Sequence, residues 1–290
     1  MSLRVCGFAA ASLLATASLL AQAPAFRSAA RLVVLHVTVD NGHGEPMTDL
    51  DQSAFAVHEN GMRQPIAVFR RDDVPVSMGL LIDNSGSMRS RRAEVESAAV
   101  ALARASNPDD EVFVLNFADH PRIDVPFTGD AHALEAQIAR VDSIGGTALR
   151  DAIRAGENYV QQGTRDRRVL VVISDGADNG STVTATQILK EAQRQEIAIF
   201  AIGLSGDRQA RHDLEELAES TGGGAYYPAA ETGIDRVALE IARRIRTQYT
   251  VAYAPMNQAL DGSYRAIRVS VAAAGHPMVR TRAGYWATPQ

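Results

Sequence analysis

The chain has 290 residues, 46% hydrophobic and 22% charged, with a formal net charge of −5. That composition is ordinary for a folded protein with a sizeable core, and the missing basic excess argues against nucleic acid as the main partner. A single cysteine, Cys6, excludes an internal disulfide and a zinc–thiolate centre.

The first 25 residues read as an export signal. Arg4 precedes an apolar run from Val5 to Leu20, and Ala21-Gln22-Ala23 and Ala23-Pro24-Ala25 offer small-residue cleavage patterns. The run is short for a membrane span of about 20 residues, and a retained N-terminal anchor is the alternative to cleavage. The expectation is an exported protein (periplasmic, cell-surface or secreted) with no transmembrane helix after cleavage.

From 26 to 75 the pattern is that of strands. Leu32–Val39 is rich in β-branched residues and is followed by the turn Asn41-Gly42-His43-Gly44. Phe55–His58 and Ile66–Phe69 flank Glu59-Asn60-Gly61, a hairpin signal.

From 76 to 247, apolar strands alternate with amphipathic helices. Strands are expected at Val76–Ile82, Val112–Phe117, Val169–Ile173 and Ile197–Ile202, with a short edge strand at Arg122–Val125 and a brief one at Ala225–Tyr227. Helices are expected at Arg89–Ala105, Ala131–Val141, Ala148–Gln161, Ala185–Gln195, Asp207–Ser220 and Ile234–Arg246. This alternation implies an α/β fold, a doubly wound and mostly parallel sheet covered on both faces. Ligands of such sheets bind beyond the carboxyl ends of the strands.

From 248 to 290 strand patterning returns, at Tyr249–Tyr253, Tyr264–Val271 and Met278–Arg282. Neither terminal segment alone could bury a good core. The expectation is one small β domain in which 248–290 packs with 26–75 and the α/β domain is inserted between them.

Three motifs fall where that sheet would present a ligand site. Asp83-Asn84-Ser85-Gly86-Ser87 follows Met78–Ile82, placing a carboxylate and two hydroxyls at alternate positions on a turn leaving a buried strand. Gly145-Gly146-Thr147 stands before a helix, and Ser174-Asp175-Gly176 ends the strand Val169–Ile173. Oxygen ligands of low net charge suit Mg²⁺, which keeps several waters and accepts an oxygen from outside the protein. Bland alternatives fit less well: N-capping serines would not explain Thr147 and Asp175, a hydrolase nucleophile would want a Gly-x-Ser-x-Gly elbow, and an aspartyl-phosphate enzyme a second carboxylate beside Asp83. Arg89, Arg91 and Arg92 lie near this face, as steering charges or simply a solvated helix face. The seven histidines are scattered and none reads as a ligand.

On these three motifs the segment from about Pro75 to Thr247 closely resembles the von Willebrand factor type A (VWFA) domain family, and Phe55–Phe69, Gly262-Ser263-Tyr264 and Arg282-Ala283-Gly284-Tyr285 give a weaker likeness to bacterial, acidobacterial-type VWFA-related proteins. The resemblance implies a Rossmann-like domain with a metal-ion-dependent adhesion site. Ser85, Ser87 and Thr147 would touch Mg²⁺ (alternatively Mn²⁺ or Ca²⁺), and Asp83 and Asp175 would act partly through water. Asp178 and Asn179 are candidates for support behind these ligands. The function implied is non-catalytic: capture of a carboxylate on a protein or extracellular-matrix ligand, with an assembly subunit of a bacterial envelope complex as the alternative and a metal-dependent hydrolase as a third, for which no general base is evident.

Overall fold

The computed structural model describes residues 31–71, 73–138, 145–175, 178–204, 207–228 and 233–289. The expected export signal at 1–25 lies outside them. In chain order the elements are β1 (Val33–Asp40), β2 (Phe55–Glu59), β3 (Met62–Gln64), β4 (Val68–Arg70), β5 (Val76–Asp83), α1 (Arg92–Arg104), β6 (Glu111–Phe117), β7 (Pro121–Thr128), α2 (Ala131–Ile138), α3 (Leu149–Val160), β8 (Arg167–Ser174), α4 (Ala185–Arg194), β9 (Ile197–Gly203), α5 (Arg208–Thr221), β10 (Gly224–Tyr226), α6 (Ile234–Arg246), β11 (Tyr249–Tyr253), β12 (Tyr264–Val271), β13 (Met278–Arg280) and β14 (Gly284–Trp286).

The central sheet has the order β10-β9-β8-β5-β6-β7. All its pairings are parallel except β6 with β7. The eight residues of β5 are all buried, because helices cover both faces and every side chain enters a core. Met78, Leu80 and Ile82 pack with α1 and α6, while Leu81 joins Phe113, Leu115 and the α3 and α4 residues Ile153 and Ile188 on the other side. Gly79 is required by close approach, since a Cβ there would lie 2.3 Å from the Phe113 ring. Between β5 and β8 the chain order reverses, so the carboxyl ends of these strands flank the switch point.

The remaining strands form two four-stranded sheets, β13-β1-β11-β4 and β14-β12-β2-β3. Each mixes strands from both ends of the chain: β1 pairs antiparallel with β11, and β12 with β2. The terminal strands thus divide between two sheets that share one apolar core around Tyr249, Tyr253, Phe55 and Leu35. The predicted turn at 59–61 forms, with Asn60 at φ 48° and Gly61 at φ 80°, the paired left-handed residues of a tight strand reversal, but the strand that returns from it is β3, while the expected partner Ile66–Phe69 overlaps β4, which pairs with β11 in the other sheet. The carboxylate of Glu59 is buried and accepts from Tyr253 Oη at 2.8 Å and Tyr285 Oη at 3.1 Å. Helix α6 is tied to β1 by a buried ion pair between Arg244 and Asp40, to which Arg280 adds a contact of 2.8 Å. Residues 31–290 form one compact unit, and none of the described helices is long and apolar enough to cross a membrane.

Candidate functional site

The first motif turns at the end of β5. Asp83 is 1% exposed, and both its oxygens are engaged: Oδ1 accepts from the Ser85 backbone N–H at 2.9 Å and Oδ2 from Ser174 Oγ at 2.6 Å. Burial pushes the Asp83 carboxyl up from the usual range and the neighbouring Asp175 carboxylate adds to this, while the bonds from Ser174 and Ser85 pull the other way. Ser174 closes β8, so this bond links the carboxyl ends of the two strands at the switch point.

Ser85 and Ser87 project on the same side of the turn, their hydroxyl oxygens 3.0 Å apart. Adjacent ligands of an octahedral ion with metal–oxygen distances of about 2.1 Å stand roughly 3 Å apart, so the two hydroxyls have the spacing of one edge of a Mg²⁺ coordination shell. Residues 86–91 form a 3-10 turn ahead of α1, so the regular helix starts three residues later than predicted, at Arg92 rather than Arg89.

The second motif lies against the first. The Gly86 N–H donates to Gly145 O at 3.1 Å. Gly145 has φ +99°, and a Cβ there would come within 2.4 Å of Asp119 Oδ2, so only glycine fits. The Asp119 carboxylate follows β6 and accepts from the Gly146 N–H at 2.7 Å. Thr147 is 2% exposed, and its backbone is held on both sides: its N–H donates to Asn179 Oδ1 at 2.9 Å and its carbonyl accepts from Asn179 and Gly180. Asp178 accepts from the Arg150 N–H at 2.9 Å at the start of α3 and from Ser181 Oγ at 2.7 Å. The residues suggested as support, Asp178 and Asn179, thus fasten the Thr147 loop and the first turn of α3.

The three loops therefore converge at one rim of the sheet. Asp83, Ser85 and Ser87 are joined by direct contacts, the loop carrying Thr147 is bonded to Gly86, and Asp175 is within electrostatic reach of Asp83. Among the described residues no three His, Cys, Asp or Glu side chains group to hold a metal; the set expected from the sequence is instead two carboxylates and three hydroxyls. The cations near it are engaged: Arg91 donates to Leu204 O at 2.9 Å, and Arg92 pairs with Glu96 at 2.7 Å.

Two supporting residues escape sequence reasoning. Ser174 belongs to a recognised motif, yet its hydroxyl serves Asp83 across the sheet. Asp119 follows a strand end at the same rim, the one positional signal for it, but its partner, the Gly146 N–H, is 27 residues away.

Residues 78–177 match the family model of the von Willebrand factor type A domain. The chain is 27% identical over 188 residues to the uncharacterized protein sll0103 of Synechocystis sp.; the match covers 61% of this chain and 44% of that relative, so less than half of the relative's length is represented. Among solved structures, a von Willebrand factor type A protein from Catenulispora acidiphila superposes with a TM-score of 0.55 at 11% identity, covering 91% of this chain and 75% of the other. An aerotolerance-related membrane protein from Bacteroides fragilis gives 0.51 at 18% identity, covering 59% of this chain and 98% of the other. Proximal thread matrix protein 1 of the mussel byssus gives 0.54 at 17%, covering 65% and 51%. The α/β unit, within which the matched residues lie, has the fold of von Willebrand factor type A domains.

Proposed function

We propose that this protein is an exported, non-catalytic binding module that captures a carboxylate of a partner protein or matrix component through a divalent ion held by Asp83, Ser85, Ser87, Thr147 and Asp175. The observation that carries the reading is the 3.0 Å spacing of the Ser85 and Ser87 hydroxyls above an Asp83 whose oxygens are already occupied. Hydroxyls contribute no charge, and Asp83 is turned toward Ser85 and Ser174. An ion bound there keeps most of its positive charge for an incoming anionic oxygen. Mg²⁺ suits such a set best, with Mn²⁺ next and Ca²⁺ less well, because the close hydroxyl pair favours a small octahedral ion.

The protein's own residues supply the platform. Ser174 fixes Asp83, Asp119 and Asn179 fix the glycine loop, and Asp178 fixes the start of α3. The ion's role when bound is to accept the partner's carboxylate oxygen.

The test is capture from a bacterial envelope extract in Mg²⁺, elution with EDTA, and repetition with Ser85→Ala/Ser87→Ala. A partner that elutes with EDTA and is lost in the variant supports the reading; a partner retained equally by both proteins in EDTA contradicts it. The fold shared with an aerotolerance-related membrane protein favours a second reading, assembly within an envelope complex. That reading expects co-purification with envelope proteins even when the serines are replaced.

A further inference from the structure

At the pole opposite the metal rim, a cavity of about 490 Å³ lies between the sheet containing β1, β11 and β4 and the amino-terminal ends of β8 and β9. Its wall includes four arginines: Arg70 from β4, Arg167 and Arg168 at the start of β8, and Arg282. The wall itself carries two acids, Asp166 and Glu196, so it has two more positive than negative groups, with Asp110 and Asp73 acting on Arg167 from outside the wall. Glu196 is committed to Arg282 at 2.8 Å. Among the described residues, no carboxylate pairs with Arg70, Arg167 or Arg168.

Arg167 is the sharpest anomaly. It is 5% exposed, one of its amino groups donates to Gln248 Oε1, and its Nε has no hydrogen-bond partner. The Nε of Arg168 is likewise buried and unbonded. The acids that act on Arg167, Asp110 and Asp73, are engaged elsewhere, Asp73 with Arg246 and Asp110 with the Val76 and Asn107 N–H groups, and a buried guanidinium with no directly paired anion is costly. Burial brings the Arg167 guanidinium down to about 10, and it holds His36, in the same wall, well below its ordinary value, with Arg167 and Arg282 adding to the effect on the histidine. His36 is therefore neutral at pH 7 and leaves the charge count unchanged. The rest of the wall is partly apolar, including Val34, Ile197 and Ala198. The volume is in the range that holds small organic ligands.

We propose that this cavity is a binding site for a small organic dianion, a phosphomonoester or a dicarboxylate, held between Arg70, Arg167 and Arg168 with its apolar body against Val34 and Ile197. Guanidinium groups recognise both anions through paired N–H donors, and a dianion balances the surplus charge. The site is built by both the terminal strands and the α/β sheet, so an occupant bridges them. It is independent of the metal rim.

The test uses the full chain and isothermal titration with phenyl phosphate, phthalate and neutral benzamide, in buffer stripped of divalent metal and free of chelator. Arg70→Ser/Arg168→Ser is the informative variant, because neither side chain makes an ion pair among the described residues, whereas Arg167 also anchors Gln248. At least one dianion is expected to bind with a Kd below about 1 mM, with the double variant at least tenfold weaker, benzamide silent, and Asp83→Ala unchanged. A tenfold preference between the two dianions identifies the phosphate or the dicarboxylate as the natural chemistry, and equal binding supports a general dianion site. The proposal is overturned if neither dianion binds below about 10 mM, if benzamide binds as well as they do, or if the double variant, folded by circular dichroism, binds like the wild type. Independence from divalent metal and from Asp83 keeps either failure separate from the metal reading.

Discussion

Glu157 offers a quantitative check on the packing of the sheet's second face. It lies in α3, is 0% exposed, and neither carboxyl oxygen has a hydrogen-bond partner among the described residues. Burial raises it from 4.5 to about 9, with Glu191 adding repulsion and Arg154 opposing it weakly. Between these values the folded protein retains a proton that the unfolded chain has released. Stability is then fully present below about pH 4.5 and falls as pH rises toward 9, by about 1.4 kcal/mol per pH unit. At pH 7 the accumulated penalty is about 3 kcal/mol. Glu157→Gln keeps the shape of the protonated acid and cannot ionise. It should match the wild type near pH 4.5, exceed it by about 3 kcal/mol at pH 7, and gain further up to pH 9. Urea unfolding of both proteins at pH 5, 7 and 9 measures this directly. A difference that stays constant across the three pH values would refute the reasoning, because it would mean that Glu157 ionises in the fold as it does in water.

Two further outcomes follow from buried polar contacts. Ser174→Ala removes the 2.6 Å bond to Asp83. It should cost about 1–3 kcal/mol in denaturant unfolding and weaken Mg²⁺ binding, read by titration calorimetry, although Ser174 is not proposed to touch the ion. Arg244→Leu leaves Asp40, which is 0% exposed, without its buried partner. A loss of about 3–5 kcal/mol is expected, recovered in large part by Asp40→Asn in the same chain; equal losses in single and double variants would show that the pair is not coupled.

The central sheet was readable because its strands are apolar on both faces. Val169–Ile173 and Ile197–Ile202 have no polar residue to place toward water, and in the structure all but the half-buried Ala198 are buried. The terminal strands were harder to place. Their alternation marks strands, as in β12 with its buried residues at every second position, but alternation does not say which of two sheets a strand joins. That choice rests on pairings across more than 200 residues, such as Val33 with Tyr253. The candidate ligand residues are visible as motifs because hydroxyls and carboxylates at strand ends have few other uses. Their supports are not. Asp119 stands in none of the three motifs and gains its role only when Gly146 turns its N–H toward it, and no spacing in the sequence joins the arginines at 70, 167, 168 and 282, which meet only where the terminal sheet folds over the base of β8. The start of α1 was misplaced because serines and glycine at 85–87 fit an N-cap, whereas the chain first makes a 3-10 turn that keeps both hydroxyls on one side.

Thermal unfolding of the full chain with Mg²⁺ and with EDTA, in the wild type and in Ser85→Ala/Ser87→Ala, tests the metal reading most directly. A site that binds only in the folded state stabilises it by about 2.7 kcal/mol at a hundredfold excess over Kd. The wild type should therefore melt several degrees higher in Mg²⁺ than in EDTA, and the variant should melt at the same temperature in both. Coincident melting curves for the wild type in Mg²⁺ and EDTA would contradict the account.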